Sequence, residues 1–217
     1  MKKKILIIGK KSFIGSNLKN YLSKFFDVKS ISYEDIKNKK KFFFSSFYII
    51  NTSIHKNYIN KKYDKNFDLD RNIVTKLGKK KFLYYFLNSR KIYLPKINIS
   101  ESSKLKPNDN YSKNKLISEK KLKTILNENL LVLRISNVIG IKKRRLTQIH
   151  KTFIDYYFEN IKKGQIIKFN EEFKDFLGIG QLTVILDKIV EKQLNGIYNV
   201  SLGKKVYIKE IIGWLNT

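Results

Sequence analysis

The sequence predicts a doubly wound α/β domain, a parallel sheet with helices on both faces. Three observations carry that reading. A β-branched run at the N-terminus, Ile5-Leu6-Ile7-Ile8, stops at Gly9 and gives way to Phe13, Ile14, Leu18 and Leu22 at helical spacing. Further apolar runs of strand length, separated by helix-like stretches, follow along the chain. A Tyr-x-x-x-Lys pair, Tyr111 and Lys115, then opens another helical pattern. Uninterrupted β-branched runs linked by helices indicate strands buried on both faces, which is the condition of a parallel sheet.

The first turn carries the most chemistry. A helix that starts directly after a strand and a tight glycine turn points its first N–H groups, and the positive end of its dipole, at whatever sits above the turn. That is a site for a pyrophosphate. Gly9 allows the sharp turn and Gly15 allows the helix to pack closely on the strand. Ser12 stands between the two glycines.

Residues 26–32 read as a second strand. Its end is where an acid would take the ribose hydroxyls of NAD, or a base the extra phosphate of NADP. Ser32 and Tyr33 are neither, and Glu34 and Asp35 come slightly late, which leans towards NAD. Residues 37–41 are a lysine-rich run leading into Phe42-Phe43-Phe44 and read as an amphipathic connection. Residues 47–53 form the next strand, ending Asn51-Thr52-Ser53. Residues 67–77 place Phe67, Asp70, Ile73, Val74 and Leu77 at helical spacing, and residues 82–87 continue as an apolar, helix-like run. Ile92-Tyr93-Leu94 reads as a strand stopped by Pro95.

Helical periodicity through Leu116, Ile117, Leu122 and Ile125 puts Tyr111 and Lys115 on one helix face. A free phenol titrates near about 10. An ammonium one turn away favours the phenolate and draws it towards neutral pH. Such a pair can protonate an alkoxide as hydride arrives, or deprotonate an alcohol as hydride leaves. Residues 130–140 then give a strand and loop, residues 173–177 a short apolar segment around Lys174 and Asp175, residues 196–200 a late strand, and residues 206–215 a closing amphipathic helix.

Composition narrows the classes. A chain of 217 residues is one domain, with a small appendage at most, and can bury a sizeable core. No cysteine occurs, so disulfides and thiolate metal sites are unavailable. His55 and His150 are far apart and read as surface or packing residues rather than metal ligands. The lysine-rich start mimics a signal peptide, but its apolar run is too short, and no stretch is long enough to span a membrane. The expected location is the cytoplasm. A formal net charge of +28 is the electrostatic footprint of nucleic-acid binding. Here the lysines are scattered and accompany an excess of Ile, Asn, Phe and Tyr, all encoded by AT-rich codons. The charge therefore reads as genome composition, and a negatively charged small substrate is consistent with it.

The stretch Gly9-Lys10-Lys11-Ser12-Phe13-Ile14-Gly15 resembles the G-x-x-G-x-x-G fingerprint, commonly ending Gly-Phe-Ile-Gly, of the extended short-chain dehydrogenase/reductase family. That family comprises sugar-nucleotide epimerases, dehydratases and reductases with a Rossmann-like fold. Asn51-Thr52-Ser53 resembles its Asn-Ala-Ala segment beside the cofactor, and Tyr111 with Lys115 matches its catalytic pair. Residues 130–140 resemble its Leu-Arg-x-x-Asn-Val-Tyr-Gly strand and loop. Phe173-Lys174-Asp175-Phe176-Leu177 resembles Arg-Asp-Phe-(Ile/Val), and Gly196-Ile197-Tyr198-Asn199-Val200 resembles Gly-x-Tyr-Asn-(Val/Ile).

The resemblance implies cofactor contacts at Gly9, Ser12, Phe13, Ile14, Gly15, Asn51, Thr52, Ser53 and Ser136, with Lys115 on the nicotinamide ribose. It implies substrate contacts at Asn137 and Lys174, where lysine lacks the planar fork of arginine. Aligning residues 92–100 on the family's strand and loop puts Lys96 where a serine or threonine usually binds the reacting oxygen. A shifted loop would supply Ser100 or Ser102 instead, and a third outcome is an inactive site. The implied organisation is one NAD(P)-binding domain over residues 1–217, with about 141–217 contributing a reduced C-terminal substrate lobe. The implied function is 4-keto reduction or 4-epimerisation of a nucleotide-linked sugar for surface polysaccharide precursors, in a protein that forms homodimers through the helix bearing Tyr111. The rival reading is a non-catalytic dinucleotide-binding sensor or scaffold, supported by Ser12 and Lys174.

Binding to nucleic acid, measured by electrophoretic shift across a salt series, is expected to be non-specific and to weaken steeply with salt, as phosphate neutralisation alone requires. A sequence-selective complex surviving about 0.3 M salt would reverse that ranking of partners.

Overall fold

The structure is a computed structural model that describes residues 2–37, 47–78, 82–140, 153–165 and 172–216. Its strands are β1 (Lys4–Ile8), β2 (Asp27–Ile31), β3 (Tyr48–Asn51), β4 (Leu83–Ser89), β5 (Leu130–Ile135), β6 (Asn137–Ile139), β7 (Phe173–Lys174), β8 (Phe176–Gly178), β9 (Gly196–Val200) and β10 (Val206–Tyr207). The helices are α1 (Phe13–Leu22), α2 (Lys56–Asn60), α3 (Leu69–Leu77), α4 (Asn110–Leu126), α5 (Phe153–Lys162), α6 (Ile179–Lys192) and α7 (Ile208–Asn216). Six strands form one parallel sheet in the order β2-β1-β3-β4-β5-β9. The doubly wound, Rossmann-like expectation is met. The run at residues 37–41 with Phe42 to Phe44, and His150, fall largely or wholly outside the described residues.

Strand alternation builds two cores. Ile5, Ile7, Tyr48, Ile50, Tyr85, Leu87, Leu131 and Leu133 face Leu18 and Leu22 of α1 and Leu182, Leu186 and Val190 of α6. Their chain neighbours Leu6, Ile8, Ile49, Tyr84, Phe86 and Val132 face Ile73, Val74 and Leu77 of α3 and Leu122 of α4. Successive side chains leave a strand on opposite faces, so a sheet covered on both sides needs an apolar residue at every position. Each fully buried aliphatic side chain contributes about 1.5–3 kcal/mol.

This requirement corrects one expectation. Residues 82–87 are not helical: β4 runs through them to Ser89, with Tyr84 and Phe86 on one face and Tyr85 and Leu87 on the other. A continuous apolar run has no period by which to tell strand from buried helix. The strand expected at residues 92–94 is a second correction. Arg90–Ile92 form a 3₁₀ turn, and Tyr93 makes a single antiparallel bridge to Leu105.

Caps set the helix boundaries. Asp109 accepts from the N–H of Ser112 at 2.7 Å, and the Ser112 hydroxyl faces the Asp109 backbone N–H at 3.3 Å, a reciprocal capping box that starts α4 immediately before Tyr111. Asp68 caps α3 through Arg71, and Gly78, at φ 65°, ends it. His55 is a packing residue, as expected: it caps α2 through Nδ1 and stacks on Phe67 at 4.6 Å.

One charged group sits inside the sheet layer. Arg134 of β5 is 3% exposed and forks onto Glu119 of α4, Nη2 to Oε1 at 2.6 Å and Nε to Oε2 at 3.2 Å. Its Nη1 donates to the Tyr93 hydroxyl at 2.6 Å, and Asn88 donates to Glu119 at 2.6 Å. Arg134→Met, which leaves buried Glu119 with only the half-exposed Lys123 ammonium at 3.6 Å, is expected to lower stability by about 3 kcal/mol in urea denaturation. Adding Glu119→Leu to Arg134→Met should recover most of that loss, because the desolvated charge has gone as well.

Candidate functional site

In an open parallel sheet the ligand crevice lies beyond the carboxyl ends of the strands, where the strand order reverses. Here the chain goes from β1 outward to β2, then returns to the far side of β1 as β3. A cavity of about 840 Å³ opens at that point, in the range of cofactor and substrate pockets. Five of the six strand ends contribute to it: Gly9 after β1, Ser32 after β2, Asn51 to Ser53 at β3, Asn88 and Ser89 of β4, and Ser136 after β5.

The first turn is built around a close approach. Gly9 has φ +111°, a conformation that glycine adopts without strain. A Cβ on Gly15 would run into the Gly9 carbonyl, the Thr52 hydroxyl and the Ser12 hydroxyl, so that position admits no side chain. The Ser12 hydroxyl accepts from the Gly15 N–H at 2.9 Å and lies 2.6 Å from Thr52 Oγ1, which in turn donates to the Ile8 carbonyl at 2.9 Å. Ser12, Phe13 and Ile14 line the cavity, and Gly15 lies buried behind them. Ser136 also lines it, with a buried hydroxyl that has no hydrogen-bond partner. A glycine cradle at a helix start and an orphaned hydroxyl across from it fit a dinucleotide.

Tyr111 and Lys115 reach the cavity from the first turns of α4. Tyr111 is hydrogen-bonded to the side chain of Ser89, the last residue of β4. Lys115 Nζ donates to the Leu87 carbonyl at 2.9 Å and lies over the Phe86 ring at 4.5 Å. It also lies 3.8 Å from Asp70 Oδ2, and both side chains are buried. Asp70 accepts further hydrogen bonds from Asn51 at 2.9 Å and Tyr84 at 2.7 Å.

This electrostatic arrangement differs from the one expected of an isolated pair. Burial pushes the Tyr111 hydroxyl well above its ordinary value, and the charges of Asp109 and Asp70 push the same way, with Ser89 opposing. The Asp70 carboxyl is raised by burial, and Lys115 offsets that in part. Lys115 therefore spends much of its field on Asp70, and the phenol keeps its proton more firmly than helical spacing alone implies.

Asn137 and Lys174 line the far end of the cavity. Asn137 Nδ2 donates to the Asp175 carbonyl at 2.8 Å, and Lys174 pairs with Glu172 at 3.2 Å. Lys96 and Ser100 are not brought to the cavity. Both are exposed, and Ser100 Oγ faces the hydroxyls of Ser102 and Ser103 at 3.0 and 3.3 Å. Because β4 ends at Ser89, residues 93–106 fold away through the Tyr93 bridge, and the hydroxyl beside Tyr111 is Ser89. The sequence reading missed Ser89, Asp70 and Arg90. The available signal was polar Asn88-Ser89 closing an apolar run, just as Asn51-Thr52-Ser53 closes β3. Among the described residues no cluster of His, Cys, Asp or Glu could hold a metal ion, and no helix is long and apolar enough to cross a membrane.

Fold and cavity together define a dinucleotide-binding type of α/β protein. Residues 47–201, more than half of the chain, match the NAD dependent epimerase/dehydratase family, and the chain belongs to that family. No curated protein matches it by sequence. Among solved structures it is similar to a UDP-N-acetylglucosamine 4-epimerase from Methanobrevibacter ruminantium, with a TM-score of 0.77 and 21% identity over 98% of this chain and 81% of that one. A dTDP-4-dehydrorhamnose reductase from Bacillus anthracis in complex with NADP gives 0.75 and 16% over 100% and 82%. A UDP-glucose 4-epimerase from Thermus thermophilus in complex with NAD gives 0.74 and 16% over 97% and 81%. At these identities the likeness is one of fold.

Replacing Asp70 with asparagine removes an anion that raises the Tyr111 hydroxyl and releases the charge of Lys115. Asp70→Asn should therefore shift Tyr111 deprotonation to lower pH. NMR titration of ring-labelled tyrosine, assigned with Tyr111→Phe, reads that shift directly.

Proposed function

We propose that the protein is an NAD(P)-dependent enzyme that reduces or epimerises a nucleotide-linked sugar at a carbon bearing a hydroxyl or keto group. The observation that carries this reading is the grouping of Ser89, Tyr111 and Lys115 in one cavity with the glycine turn. The family membership supports it, and so do the sugar-nucleotide epimerases and the reductase that share the fold. The bound dinucleotide supplies a site that gives or takes hydride. Gly9, Ser12, Phe13 and Ile14 would hold its pyrophosphate at the start of α1, with Gly15 keeping helix and strand close. Thr52, Ser53 and Ser136 border its length.

In the reductive direction Ser89 donates a hydrogen bond to the substrate carbonyl oxygen and fixes it beside Tyr111. Tyr111 gives its proton to that oxygen as the carbon accepts hydride, so no free alkoxide forms. Lys115, anchored on the Leu87 carbonyl, positions the ribose and stabilises the phenolate left behind. A phenol held above its ordinary value stays protonated at neutral pH, and it gives up that proton only when a stronger base, the alkoxide developing on the substrate, forms beside it. The bare non-catalytic reading has no comparable use for a serine, a tyrosine and a lysine meeting at one point.

Glu34 lines the cavity beyond β2, as a partner for the ribose hydroxyls of NAD, while Lys10 and Lys11 on the same side would serve the extra phosphate of NADP. Our reading leans to NAD. Residues 1–217 form one NAD(P)-binding domain, and about 141–217 contribute the reduced substrate lobe, with β9 returning to the main sheet. Asn137 and Lys174 face the substrate's phosphates. A homodimer across α4 would set the exposed Lys113, Lys120 and Lys121 of one copy towards those of the other, a repulsion that salt relieves. The soluble interior of the cell and surface polysaccharide precursors complete the proposal.

Tyr111→Phe should keep NADH affinity and lose about 10²–10⁴-fold in turnover, because only the proton donor has gone. Ser89→Ala should lose turnover in the same way, whereas Lys96→Ala and Ser100→Ala should leave it unchanged. Titration with NADH and NADPH, followed by sugar-dependent change in cofactor absorbance, tests both points. Unchanged turnover in Tyr111→Phe would refute the assignment.

A further inference from the structure

We propose that Arg90 recognises a carboxylate on the sugar of the substrate, so that the preferred substrates are nucleotide-linked sugar acids rather than neutral hexoses. This rests on the nucleotide-sugar reading above and adds the class of sugar. Arg90 opens the 3₁₀ turn after β4 and lines the cavity. It is only partly exposed, and its Nε is fully enclosed without a hydrogen-bond partner. A guanidinium in a cavity wall with no acceptor of its own is uncommon, and its part-exposed end is where a ligand atom can complete it.

The neighbouring groups do not supply that acceptor. Asp175 is the acid whose field reaches Arg90, and it offsets part of what burial takes from the guanidinium. Its two carboxylate oxygens accept from the backbone N–H groups of Leu202 at 3.1 Å and Lys204 at 3.0 Å. The other cations at this end are engaged: Lys91 pairs with Asp109 at 3.4 Å and Lys174 with Glu172 at 3.2 Å. Among the described residues Arg90 has no ion pair. Among the described residues the one acid lining the cavity, Glu34, lies at the opposite end, beyond β2.

Position separates a sugar carboxylate from the diphosphate. Arg90 directly follows Ser89, the hydroxyl that meets Tyr111, so its Cα stands about 3.8 Å from that residue's. Its stem thus begins beside the reacting carbon, where the sugar ring lies. A guanidinium presents parallel N–H donors matched to the two oxygens of a carboxylate. An acid on a ring carbon next to the reacting one gives Arg90 its missing acceptor and turns the sugar towards Ser89 and Tyr111.

The test is calorimetric titration of the NADH-loaded protein with UDP-glucuronate, UDP-glucose and UDP, and with the dTDP-linked counterparts. The parent should bind the sugar acid about 10–100-fold more tightly than the neutral sugar, the scale of a hydrogen bond to a charged group. Arg90→Ala should bring that ratio to about one, and Arg90→Lys should leave it between, since the charge stays and the fork goes. NADH affinity should be the same in all three proteins, which shows that the variants fold. Equal affinity for acid and neutral sugars in the parent would overturn the proposal while leaving the enzyme reading intact. So would an equal loss for both sugars and for UDP in Arg90→Ala, the mark of a diphosphate contact. Failure of every nucleotide sugar to bind a protein that does bind NADH would overturn both readings.

Discussion

The packing of α1 against the ends of β1 and β3 is the constraint on which the site depends. Gly15 touches the Gly9 carbonyl, Thr52 and Ser12 at once, so three elements meet where no side chain fits. Thr52 ties β3 to β1 through the Ile8 carbonyl, and Ser12 ties the helix start to Thr52. The strand-order reversal thereby becomes a fixed crevice rather than a gap between loosely joined layers. The serine between the two glycines is not a gap in the fingerprint: its hydroxyl satisfies one of the first N–H groups of the helix.

A second constraint is charge held out of water. Asp70 and Lys115 meet behind the cavity wall, where an unpaired ion of either sign would cost several kcal/mol. Asn51 and Tyr84 satisfy the remaining lone pairs of Asp70. Burial and Asp109 raise the Tyr111 hydroxyl first, and this carboxylate on α3 adds to them while holding Lys115 in place. Local spacing on α4 fixes which residues face the cavity. Part of the field they sit in comes from another helix.

That division explains what could be read in the sequence. The βα turn, the order of the strands and the Tyr111–Lys115 face follow from period and from residue type, both local properties. The misreadings concern β4. Residues 83–87 of it are apolar at every position because both faces are covered, so periodicity is silent there and the run reads as helix. The displaced frame carried the expected hydroxyl to Lys96 and Ser100, several residues past Ser89, the serine that lines the cavity beside Tyr111. Asp70 was placed at a core position of α3 from its spacing, and it is buried there. Its partner Lys115 is 45 residues away in sequence, and no pattern along the chain joins the two.

The network around Arg134 has a bearing on how the molecule opens. Tyr93, which takes a hydrogen bond from Arg134, donates to Asn199 of β9 at 2.7 Å, and the Glu101 carboxylate accepts from the Asn199 N–H at 2.7 Å. Glu119 at the other end of the network belongs to the helix that carries Tyr111. The edge strand is thus fastened to α4 by side chains as well as to β5 by its backbone. Edge strands and surface helices usually exchange their amide protons through separate local openings. Here fraying of β9 breaks the Tyr93 bond at one end of a network whose other end, Arg134 on Glu119, braces α4, so loss of the edge strand loosens the support of the helix that carries Tyr111.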